Sequence, residues 1–121
     1  MRLSVFSATV LAAAIASVSV PPAALAHTHV HHMSIADNAS LTAPPANFKV
    51  EFEAKAGLTS VKLTDAAGKA VPLAYKPPAD QALAFTIPLP TLTKGAYVLT
   101  WTSVGQDGHV MPGTVHFTIT G

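Results

Sequence analysis

Phe48-Lys49-Val50-Glu51-Phe52-Glu53 alternates apolar and charged residues with strict period two. That is the pattern of a strand with one face buried and the other in water. Outward from it, Leu58 to Thr64 repeats the alternation through Leu58, Val61 and Leu63, with an imperfection at Ser60. Asp65-Ala66-Ala67-Gly68-Lys69 reads as a hairpin loop and Val71 to Tyr75 as the returning strand. Leu83 to Ile87 alternates again, and Pro88 and Pro90 bar it from the middle of a sheet. Tyr97-Val98-Leu99-Thr100-Trp101 is strongly β-prone, Gln106 to His109 is a polar connection, and Val115 to Ile119 closes the chain. Upstream, Val30 to Ile35 reads as a short first strand, Asp37-Asn38 as a turn, and Leu41 to Pro45 as an extended stretch limited by proline. No window after residue 26 keeps a helical period. About seven short strands divided by turn signals predict an all-β sandwich with Phe52, Tyr97, Trp101 and Phe117 in its core.

Residues 1–26 carry the marks of a secretory signal: Arg2, an apolar stretch from Leu3 to Val20, and the small-x-small site Ala24-Leu25-Ala26. A membrane anchor is the competing reading; four serines and Pro21-Pro22 weigh against it. The expected organisation is a signal peptide at 1–26 and one exported domain at 27–121. Its removal costs only Arg2, leaving six basic and six acidic residues. A neutral domain lacks the basic footprint that nucleic acid or acidic lipid requires. The chain has no cysteine, so stability rests on the core, and a metal site must use nitrogen and oxygen donors with methionine as the only soft one.

All six histidines lie after Ala26: His27, His29, His31, His32, His109 and His116. Cleavage after Ala26 makes His27 the amino terminus, where amine and imidazole together chelate a metal at neutral pH. Cu(II) ranks highest for such nitrogen sites. A solvated, mobile terminus is the plainer explanation of the cluster. The second candidate is Asp107-Gly108-His109. Two residues apart in an extended segment, Asp107 and His109 point the same way; an ordinary Asp-Gly turn beside a surface histidine is the alternative. His29, third in the processed chain, offers the same amine a competing square-planar site. His31 and His32 alternate along a strand, so at most one of them faces the site. His116, between Val115 and Phe117, reads as an outward polar position.

Taken together, these residues resemble the CopC-type periplasmic copper-binding proteins. The resemblance spans the processed chain and rests on several stretches. These are the histidine behind the signal; Ser34, Ala36 to Ala39, Leu41 and Ala43-Pro44; the Phe52 strand; Asp65 to Lys69; and Leu89-Pro90-x-Leu92-x-x-Gly95-x-Tyr97-x-x-x-Trp101 leading to Asp107-Gly108-His109-x-x-x-Gly113. It implies a Greek-key β-sandwich related to cupredoxins and immunoglobulin domains. It also implies one Cu(II) per chain held by His27, Asp107 and His109, a non-enzymatic role in copper homeostasis or resistance, and an inner-membrane copper transporter as partner. A monomer is expected. Many members have an acidic residue where this chain has Ala54, and Glu53, one position earlier, is left outside the ligand set. Met33 and Met111 are too few for the methionine-rich Cu(I) segment of some members. Two other classes compete: a copper oxygenase built on a terminal-histidine chelate, for which no aromatic binding face is visible, and an interaction sandwich with incidental histidines.

Overall fold

The computed structural model describes residues 29–121. The expected signal segment and His27 lie outside the described residues. Seven strands and no helix are present among the described residues: β1 (Val30–Met33), β2 (Ala39–Leu41), β3 (Asn47–Asp65), β4 (Ala70–Val71), β5 (Ala82–Pro88), β6 (Gly95–Gly105) and β7 (Val110–Ile119). The all-β expectation holds, and pairing skips along the chain as the Greek-key reading requires: β3 joins β6, and β2 lies parallel to β7.

The two strands expected at Phe48 and at Leu58 are one strand of 19 residues. Its first half pairs with β1 and β5, its second with β6 and β4. A strand that serves both layers is how a sandwich turns its corner. Phe48, in the first half, packs its ring 5.5 Å from that of Trp101 on β6, and both are buried. The imperfection at Ser60 is a bulge: β3 pairs Leu58 with Ser103 and Ser60 with Thr102, so Thr59 is the inserted residue. Before it the buried positions are Phe48, Val50, Phe52, Ala56 and Leu58; after it the phase moves to Leu63.

Other boundaries shift for local reasons. The return strand expected to reach Tyr75 stops at Val71, because Pro72 has no N–H to continue the ladder; Leu73 and Tyr75 still pack on the core. β2 begins two residues before Leu41 and ends ahead of Pro44-Pro45. The last strand starts at Val110, five residues earlier than its β-prone core. Gly113 faces Trp101 there, and a β-carbon on it would overlap the indole ring. Tyr97 and Phe117 stack at 5.6 Å, and Phe52 meets Phe85 edge-on at 6.1 Å. The four aromatics expected in the core are all buried.

Candidate metal centre

Asp107 and His109 sit on the hairpin joining β6 to β7. Gly108 N–H donates to Gly105 O and Gly105 N–H to His109 O, each at 3.0 Å, and Gly108 takes φ +83°. This is a three-residue loop closed by a left-handed glycine. The contact between Asp107 and His109 therefore comes from the turn and not from extended alternation, which corrects the sequence expectation. Asp107 Oδ1 accepts the His109 N–H at 3.0 Å, and Oδ2 stands 2.7 Å from His109 Nδ1. Both bonds favour the carboxylate, the ring contact most, and hold Asp107 below the usual carboxylate range.

Asp65 to Lys69 has the same backbone. Gly68 N–H donates to Asp65 O and Asp65 N–H to Lys69 O, both at 3.0 Å, with Gly68 at φ +76°. There the aspartate comes first and its Oδ1 caps the N–H groups of Ala67 and Lys69 at 2.9 and 3.0 Å. At the other hairpin the carboxylate comes third and is directed onto an imidazole. One turn geometry thus carries a carboxylate that caps its own backbone in one loop and a carboxylate–imidazole contact in the other.

The start of β1 comes to the same end of the sandwich. Glu51 pairs with Ala84 of β5 on one edge of β3 and with His32 of β1 on the other. Ala56 likewise pairs with Ala82 of β5 and, across β3, with Gly105 of β6. With β5 on one edge throughout, β1 and β6 share the opposite edge. His29 O accepts the Glu53 N–H at 2.9 Å, so Ala54 and Lys55 alone separate its level from that of Gly105. Three strand steps are about 10 Å. Glu53 is exposed beside this gap.

The remaining histidines are placed as follows. His116 is exposed, as expected, and is also tethered. Asp37 Oδ1 accepts its N–H at 2.8 Å and lies 2.9 Å from its Nδ1, joining the turn before β2 to β7. These bonds, the backbone one first, lower the Asp37 pKa. Asn38 in that turn adopts φ 63°, which asparagine tolerates. His31 and His32 do not alternate. β1 pairs Val30 with Phe52 and His32 with Glu51, so His31 is an inserted residue of a bulge. The regular alternation expected of His31 and His32 is therefore broken at the bulge. The signal for the bulge was the three-residue spacing of Val30 and Met33. Among the described residues, no three His, Asp or Glu side chains gather around a common point.

An all-β sandwich with a histidine–carboxylate hairpin beside the start of its first strand defines the class. The CopC domain model matches residues 30–120, and the chain belongs to the CopC family. Among solved structures it is similar to CopC from Methylosinus trichosporium OB3b, with 26% identity, a TM-score of 0.64, and coverage of 78% of this chain and 94% of that one. It is also similar to PcoC, a methionine-rich copper resistance protein from Escherichia coli, with 28% identity, a TM-score of 0.56, and coverage of 78% and 99%. A selenomethionine structure of PcoC gives 27% identity, a TM-score of 0.55, and coverage of 76% and 99%. The comparison with curated proteins returns no match.

Proposed function

We propose that this protein is an exported, periplasmic copper-binding protein that sequesters or carries Cu(II) in copper homeostasis and resistance. The observation that carries the reading is the Asp107–His109 pair, set by its hairpin at 2.7 Å in a chain of the CopC family. Residues 1–26 are removed as a signal. His27 then contributes its amine and imidazole, and His109 an imidazole nitrogen. Asp107 supplies its carboxylate either to the ion or to the ring that binds it. Three nitrogens and one oxygen suit tetragonal Cu(II), one ion per chain.

The placement of the two strand ends supports this reading. His27 is two residues upstream of His29, a length of chain that spans at most about 7 Å. The gap between the His29 level and the hairpin is about 10 Å, within reach of such a segment and its side chain. A hairpin that fixes two donors before the ion arrives lowers the ordering cost of binding, which favours His109 over the third-residue site of His29. With three methionines in the whole sequence, the chain departs from methionine-rich PcoC, and we assign it Cu(II) alone. The protein is a monomer without catalytic activity, and an inner-membrane copper transporter is its partner. The relatives lend the oxygenase alternative no support.

The test is a copper titration of protein whose first residue is verified by mass spectrometry as His27. One tight Cu(II) equivalent is expected. Affinity and spin-resonance parameters that ignore both an added residue before His27 and His109→Ala would sink the reading.

A further inference from the structure

On an undisturbed strand, neighbouring side chains project to opposite faces. β1 breaks that rule between two fixed points. Val30 pairs with Phe52 and Met33 with Val50, and Phe52 and Val50 are both inward, buried positions. The two residues between, His31 and His32, stand opposite the single residue Glu51, which belongs to the outward set of β3. Both histidines are exposed. The bulge therefore turns two consecutive imidazoles toward the same outward side as a carboxylate. A regular strand would have separated them.

We propose that a divalent metal ion draws His31, His32 and Glu51, whose side chains do not gather around a common point in its absence, into a second, open site on the outward face of β1. Two imidazoles and a carboxylate suit Cu(II) first, with Ni(II) and Zn(II) weaker. The site shares no residue with Asp107 and His109. Glu51 is at present paired with Lys49 Nζ at 3.2 Å, so the ion assembles its ligands by drawing the carboxylate away from the lysine. That exchange makes the site weaker than one with donors already gathered, and it makes Lys49 a competitor whose removal strengthens binding. The Lys49 backbone N–H is held separately by Ser34 Oγ at 2.9 Å, so changing its side chain leaves the strand pairing in place.

The experiment uses processed protein beginning at His27, loaded with one Cu(II) and then titrated with more, followed by calorimetry and spin resonance. A second, weaker equivalent with its own signal is expected. His31→Ala or His32→Ala should weaken it about tenfold or more, Lys49→Gln should tighten it, and thermal stability should not change. It should persist in His109→Ala, which separates its failure from failure of the primary site. A second equivalent that is absent, or that survives unchanged in the His31→Ala/His32→Ala double variant, overturns the proposal. Loss on His29→Ala alone overturns it too, by assigning the ion to the amino-terminal motif.

Discussion

Asp107 Oδ2 lies 2.7 Å from His109 Nδ1 while its Oδ1 accepts the His109 backbone N–H. One carboxylate thus fixes both the backbone and the ring of its neighbour. This makes the two residues unequal in the proposed site, since His109 brings a nitrogen donor and Asp107 chiefly its orientation and charge. His109→Ala should lower Cu(II) affinity roughly 100-fold and Asp107→Asn about tenfold. Competition against a chromophoric chelator measures both, and equal losses would refute the division of roles.

Extending the chain by one alanine before His27 keeps every side chain yet removes the amine from the histidine. The chelate ring is lost, and tight binding should fall to the level of isolated imidazoles. Spin-resonance spectra should then lose nitrogen couplings relative to the processed protein. An unchanged spectrum would place copper elsewhere.

The Asp37–His116 tether predicts an acid limb in the stability curve. Hydrogen bonds from His116 depress the Asp37 pKa in the folded state, so the unfolded chain takes up the proton first. The stabilisation is complete above the ordinary carboxylate pKa near ~3.9 and is lost as pH falls through the lower folded value. Denaturant midpoints should therefore drop below about pH 4 in the wild type. In Asp37→Asn they should start lower at neutral pH and show a shallower acid limb.

Gly113 lies under the Trp101 indole, where an added methyl would overlap the ring. Gly113→Ala should cost about 3 kcal/mol through displacement of the buried tryptophan. The shift should be visible as a lower unfolding midpoint and altered tryptophan fluorescence. Gly57→Ala is the control, because its added carbon meets only ordinary contacts at 3.8 Å or more.

Much of this was readable from residue pattern. The alternation through Phe52 and the β-prone run at Tyr97 marked strands correctly, since one-sided burial imposes period two wherever the backbone stays regular. Asp65-Ala66-Ala67-Gly68-Lys69 was legible as a turn because a left-handed position calls for glycine. The two bulges were harder. Each shows only as an apolar spacing of three where two was due, at Val30–Met33 and at Leu58–Val61, and that slip is easily taken for a weak strand. The fusion of two expected strands into β3 has no local signature either. Long-range pairing decides whether a polar interval such as Glu53-Ala54-Lys55 is a loop or a bend, and no local pattern reports it. For Asp107 and His109 the spacing of two suggests a shared face of an extended segment, whereas the turn creates the contact.

The matched hairpins at Asp65–Lys69 and Gly105–His109 mean that the molecule carries its own blank. Ala67→Asp with Lys69→His, together with Asp65→Gly to clear the carboxylate that now caps residues 67 and 69, would write the Asp–His pair onto the first turn, at the far end of the β3–β6 ladder from His29. Copper taken up there would report what the turn alone is worth. The difference between the two ends would measure what the amino terminus adds.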